Sequence, residues 1–187
     1  MAFQSLEQQL LLAMPALQDP WFKQAAVLLL EHTREGAMGF CINRPAPIDA
    51  KNVLEQLGID SQALVSANHP VVFGGPVEPE SGFILHAPTE QVWETSQPIN
   101  ENLWLTHSKD ILQAIGAGQG PKNTLIVLGY SGWDTGQLEY ELSQNTWLNV
   151  PCPEELLFSI PLEERWHYAA QSAGINLALM SSEVGHA

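Results

Sequence analysis

Residues 123–147, NTLIVLGYSGWDTGQLEYELSQNTW, join an apolar run to a cluster of glycines and then to a helical pattern. Leu125 to Leu128 is short and wholly aliphatic, which suits a buried strand better than a helix. Gly129, Gly132 and Gly136 punctuate the residues that follow, so this spacing predicts a turn. Beyond it, Leu138 and Leu142 lie four apart and share a helical face toward the core, while Gln137, Glu141 and Gln144 form a separate polar row. Asp134 and Gln137, three residues apart, have the form of a capping box at the start of that helix. Strand, turn and helix in immediate succession place the chain among α/β folds.

The flanking sequence continues the alternation, with no internal repeat. Leu10 to Met14, Ala25 to His32 and Met38 to Asn43 are apolar runs separated by Asp-Pro and Glu-Gly turn signals, which predicts three adjacent strands, with Ala16 to Lys23 as a connection. Asp49 to Leu57 carries Val53, Leu54 and Leu57 at helical spacing, with Asp49 as N-cap and Gly58 as the stop. Val71 to Phe73 and Gly82 to Ala87 read as strands around Gly74-Gly75-Pro76, and Ile99 to Thr106 as another. Ser108-Lys109-Asp110 opens a helix through Ile111, Leu112 and Ile115 that the glycines at 116, 118 and 120 close. A last helix, Glu163 to Ala173, sets Trp166, Ala169, Ala170 and Ala173 on one face before Gly174. Residues 1–5 and the tail Ser181 to Ala187 are expected to fray.

Composition narrows the function classes. The chain has 187 residues, 45% hydrophobic and 15% charged, enough for one globular domain that needs no disulfide or metal to fold. Seven Lys and Arg stand against 21 Asp and Glu, a formal net charge of −14. Too few cations remain for a wide basic face, so direct contact with nucleic acid and with anionic membranes is disfavoured. This field would favour basic protein partners or cationic ligands, but simple solubility is the stronger reading of it. The N-terminus lacks the basic region of a signal peptide, and the apolar runs fall far short of the ~20 residues that span a bilayer, so a cytoplasmic protein is expected.

Residues able to do chemistry are present but do not assemble into a complete set. Gly129-Tyr130-Ser131-Gly132-Trp133 resembles the GxSxG nucleophile elbow, with His167 and Glu163 available downstream, but Trp133 replaces the second glycine that a strained elbow requires. A serine hydrolase acting through Ser131 is therefore the weakest alternative. The six histidines show no zinc-ligand spacing, and Cys41 and Cys152 form no CxxC pair, so neither a metal nor another cofactor is expected. Cys41 lies in an apolar run, where an inert buried thiol is the ordinary outcome. His86 ends the strand GFILH beside a glycine turn and could orient a polar ligand. Gly74-Gly75-Pro76 lacks phosphate-loop context and suits a tight turn.

LLLAMPALQDPWFKQAAVLLLEHTREGAMGFCINRP, VFGGPVEPESGFILH and LGYSGWDTGQLEYELSQNTWL together resemble the YqgE/AlgH family, in the same order over about residues 10–166. The resemblance implies a bacterial protein with a single α/β domain of the α+β type, a mixed, strongly curved sheet flanked by helices in layers, and no established enzymatic activity. Members often carry the label of transcriptional regulator, the second reading for this chain. The family commonly has alanine at Ser131 and an aliphatic residue at Cys41, which argues against either as nucleophile. The leading expectation is a non-catalytic protein that binds an unidentified partner protein or small ligand. Its expected surface comprises Asn43, Gly74, Gly75, Pro76, His86, Gly129, Tyr130, Gly132, Trp133, Gln137 and Glu141.

Overall fold

The computed structural model describes residues 2–180, and the expected fraying of residue 1 and of 181–187 lies outside them. Nine strands and five α-helices follow in chain order: β1 (Gln9–Ala13), β2 (Ala26–Thr33), β3 (Gly36–Cys41), α1 (Ala50–Gln56), β4 (Val71–Phe73), β5 (Val77–His86), β6 (Gln97–Asn100), β7 (Leu103–Thr106), α2 (Lys109–Gly116), β8 (Thr124–Asp134), α3 (Gln137–Ser143), β9 (Trp147–Pro151), α4 (Arg165–Ser172) and α5 (Leu177–Met180). The strands run β6-β7-β5-β8-β3-β2-β1-β9 across one curled sheet, and β4 pairs with β8 off that path. Pairing is antiparallel except for β4 beside β8, so the sheet is mixed, as expected.

β8 is the hinge of this sheet. Its first half pairs with β4 and β5, and its last four residues pair with β3. Gly129 sits between the halves with φ +69, a left-handed conformation that glycine adopts without steric penalty and that bends a strand. The expected turn over Gly129 to Trp133 is thus a continuation of the strand. The unpaired edge of β3 offered those residues hydrogen bonds, and pairing overrode the local glycine signal.

Other boundaries moved for similar reasons. Ile99 to Thr106 is not one strand but the core of a hairpin, β6 and β7, whose turn forms where Asn100 Oδ1 accepts the Asn102 N–H at 2.9 Å. β5 starts five residues before Gly82, with a bulge between Val77 and Gly82. Gly136, at φ +74, is the N-cap of α3, and only half of the expected box forms: Gln137 Oε1 accepts the Asp134 N–H at 3.0 Å. At α1 the box is complete, with Asp49 Oδ1 accepting the Asn52 N–H at 2.9 Å and Gly58 at φ +68. α4 begins at Arg165 after a 3-10 turn, and Ala173 lies exposed beyond its end.

Alternation along each strand divides the core into layers. Leu10, Leu12, Leu125 and Val127 face the inside of the curl, where Leu157, Trp166, Ala169 and Ala170 plug it. Ile126 and Ile84 face α1 and α2 on the outside. Leu11, Ala13, Val27 and Trp133 face Leu138 of α3 and Trp147. Both faces of β1 and of the first half of β8 are covered, which explains why these strands read as continuous apolar runs rather than as alternating ones.

Candidate functional site

The expected site residues separate into three places. The first is a close approach of backbones at Gly74-Gly75 and Gly129. A Cβ on Gly74 would lie 2.3 Å from the Gly129 carbonyl oxygen, and one on Gly75 would lie 2.2 Å from the Tyr130 carbonyl. Only glycine fits such contacts. The Gly74 carbonyl accepts the Cys41 N–H at 2.8 Å and the Ser131 Oγ–H at 2.9 Å, so the three family motifs meet there. Asn43 stands beside this junction: Oδ1 accepts the Ala26 N–H at 2.9 Å, and Nδ2 donates to the Gln24 carbonyl at 2.8 Å. Pro76 is exposed at the start of the bulge, while Tyr130 is half-buried and Gly132 exposed along β8.

Ser131 is fully buried and engaged with Gly74, so its hydroxyl meets no substrate. Cys41 is buried as well, and burial pushes its thiol pKa up, away from the reactive thiolate.

The second place is a carboxylate clamp on the outer face. Glu141 Oε2 accepts the Trp133 indole N–H at 2.9 Å and the Trp147 indole N–H at 2.7 Å, and Oε1 accepts the Gln137 amide at 2.9 Å. The two indoles meet edge to face at 6.0 Å, and Phe22 packs edge-on against Trp147. α3 holds Gln137 and Glu141 four residues apart, one helical turn, so two members of the polar row foreseen from spacing are bonded, while Gln144 bonds Ser143 Oγ instead.

The third is His86, which pairs with Thr124 at the far end of β8, about 30 Å of strand from Trp133. The ring is fully buried. Nδ1–H donates to the Ala87 carbonyl at 2.8 Å, which leaves Nε2 to accept from Thr106 Oγ1 at 2.8 Å. Ser96 Oγ continues the chain at 2.9 Å from Thr106 Oγ1. Burial lowers the His86 pKa, with the Ala87 carbonyl pulling the other way. Both ring nitrogens are engaged within the fold.

Two buried polar centres escaped the sequence reading. Arg165 is 2% exposed, and its guanidinium donates to the carbonyls of Ile160 at 3.0 Å, Ile42 at 2.5 Å and Leu157 at 2.7 Å. Burial lowers its pKa to about 10. His32 is buried beside α3: Nδ1 accepts the Leu6 N–H and Nε2 donates to Glu139 at 2.9 Å. The His32 partners lie 26 and 107 residues away, and Arg165 bonds backbone carbonyls, one of them 123 residues away, which no side-chain pattern announces.

An open groove also escaped it. Where the curl of the sheet brings β6 and β7 toward β1 and β2, two adjoining cavities of about 420 and 470 Å3 share Glu7, Gln8 and Ile99. The floor is apolar and belongs to the inner core layer: Leu30, Met38, Phe83, Leu105 and Phe158 are half-buried there. Glu7, Glu31, Glu101 and Glu154 stand exposed on the walls, and the lining includes no lysine or arginine. Gln8 Nε2 donates to the Ile99 carbonyl at 2.9 Å and Asn102 Nδ2 to Glu154 at 3.0 Å, so bridges between distant segments brace both ends. The described residues contain no cluster of three or more metal-ligating side chains, and no helix among them is long and apolar enough to cross a membrane.

Comparison with known proteins agrees with this architecture. An AlgH-like family model matches residues 10–178. A UPF0301 protein of Alcanivorax borkumensis is 45% identical over 181 residues, 97% of this chain and 96% of its own length. One of Shewanella woodyi is 43% identical over 185 residues, covering 98% of this chain and 99% of its own. The solution structure of the AlgH protein from Pseudomonas aeruginosa superposes with a TM-score of 0.77 at 41% identity, covering 100% of both chains. A crystal structure of a Corynebacterium diphtheriae protein shares the fold at a TM-score of 0.72 and 14% identity, over 97% of this chain and 94% of that one. With the matched model spanning nearly all of the chain and the curled sheet shared throughout, this protein belongs to the AlgH-like family.

Proposed function

We propose that this protein works by binding another macromolecule rather than by catalysis, and that the groove at the open end of the curled sheet is its binding surface. One observation carries the reading: the inner core layer ends in a row of half-buried apolar side chains, Leu30, Met38, Phe83, Ile99 and Leu105, that the described chain does not cover. Apolar surface of this kind, rimmed by polar groups, is characteristic of interaction sites. The polar residues of the family motifs support the same reading from the other side. Glu141, Asn43 and His86 direct their hydrogen bonds inward, and Ser131 and Cys41 are buried, so these residues serve to hold the sheet that shapes the groove. A role in gene expression, suggested by the family label, would on this reading run through a bound partner, because a net charge of −14 disfavours phosphate contact.

Photo-crosslinking in cells tests it. A benzophenone amino acid at Ile99 or Leu105 should give discrete adducts on irradiation, and the same group at Tyr140, exposed on α3 and away from the groove lining, should not. Absence of adducts at both groove positions, or equal adducts at Tyr140, would reject the groove as the binding surface.

A further inference from the structure

We infer that the occupant of this groove is a cationic protein segment in which lysine or arginine side chains flank aliphatic or aromatic ones. The inference rests on the groove being the binding surface and adds the chemistry of what fills it. Two features of the lining select that chemistry. The floor of Leu30, Met38, Phe83, Leu105 and Phe158 favours an apolar side chain, whose transfer from water is the main driving force of such contacts. The walls carry Glu7, Glu31, Glu101 and Glu154 without a balancing lysine or arginine.

Charge complementarity decides between occupants. A second copy of this chain would bring −14 onto an already acidic groove, and its seven cations are widely scattered. An acidic or phosphate-bearing partner would meet the same repulsion. A polyamine would satisfy the carboxylates but leave the floor wet. Lysine and arginine do both, because their aliphatic stems lie along apolar surface while their charged ends reach the rim. β6, the strand along the groove, is four residues long, about 13 Å, so a short linear segment suffices.

Of the four glutamates, Glu31 and Glu101 are the ones to alter. Glu7 accepts the His32 N–H at 3.2 Å and Glu154 the Asn102 amide, so their replacement would disturb the fold as well as the field. Glu31 and Glu101 are exposed and free of such duties in the fold, and changing them leaves the core untouched.

The experiment uses the full chain, labelled for amide NMR, and three capped hexapeptides that alternate leucine with lysine, serine or glutamate. At 50 mM salt the lysine peptide should give saturable shifts at Gln8, Leu30, Ile99 and Leu105, the serine peptide at least tenfold weaker binding, and the glutamate peptide none. Glu31→Gln with Glu101→Gln should weaken the lysine peptide about fivefold, and Glu31→Lys with Glu101→Lys more than tenfold, with no fall in melting temperature. Raising salt to 300 mM should weaken it as well. Equal binding of the serine and lysine peptides overturns the cationic assignment and leaves the groove standing. Failure of the lysine peptide to bind, where in-cell crosslinks at Ile99 or Leu105 do form, overturns the assignment in the same way. Saturable shifts confined to other faces of the protein overturn both.

Discussion

Glu141 shows how far a single residue can be understood from spacing. Its place four residues after Gln137 and on a helix following Trp133 marked it as part of a polar row, and the structure makes Glu141, braced by Gln137, a clamp on two indole N–H groups and leaves Gln144 out of it. What spacing could not supply was Trp147, which arrives from the next strand. Hydrogen bonds to a carboxylate contribute more than neutral ones, and leaving two indole donors without a partner costs more still. Glu141→Ala is therefore expected to lower unfolding free energy by about 3 kcal/mol, and Glu141→Gln, which keeps one acceptor oxygen, by about 1 kcal/mol. Urea unfolding followed by tryptophan fluorescence measures both, and an alanine variant within about 0.5 kcal/mol of the native protein would show the clamp to be energetically idle. His86 illustrates the converse case. Its position beside a glycine turn suggested ligand contact, but its two ring nitrogens point to Ala87 and Thr106, and Thr106 lies 20 residues away.

At the scale of elements, β8 departs furthest from local expectation, and glycine is the reason. Gly129 and Gly136 both adopt positive φ, +69 and +74. Their surroundings differ: a Cβ on Gly129 would sit 2.6 Å from the Gly75 carbonyl oxygen, whereas one on Gly136 would meet nothing within 4 Å. Gly136→Ala is expected to cost about 1 kcal/mol, the left-handed penalty alone. Gly129→Ala adds backbone overlap and should cost about 3 kcal/mol or more, enough to lower expression of folded protein. Thermal unfolding of the pair separates the two effects, and equal costs would mean that β8 does not need its close approach to Gly75. Helices were more legible than strands here. α1 carries its own capping box and α2 its own apolar periodicity within eight or nine residues, while the extent of β8, the split of β6 from β7 and the existence of β9 depend on partners from distant parts of the chain.

Over the whole molecule, a net charge of −14 acts on the compact state by self-repulsion. Screening should relieve it, because the Debye length falls to roughly 6 Å at 0.3 M salt. The melting temperature is accordingly expected to rise by about 2–4 °C, the equivalent of ~1 kcal/mol for a domain of this size, when sodium chloride is raised from 0.01 to 0.3 M. A flat or falling midpoint would show that attractive contacts such as Lys51 with Glu55 outweigh the repulsion. On the proposed reading, in which the groove takes a cationic segment, stability and recognition should respond to salt in opposite directions.

By itself the sequence determined the class of fold, the family resemblance and the capping box of α1, since these rest on composition and on contacts between near neighbours. Only the tertiary structure decided that the glycine turn is a strand, that Ser131 is buried, that His86 lies at the opposite end of β8 from Trp133, and that a groove exists. The groove lining comes from the β1 approach, β2, β3, β5, the β6–β7 hairpin and the segment after β9. The physical reason is that its walls are brought together by the curl of the sheet, and curl arises from pairing between strands far apart in the chain, which no local pattern records.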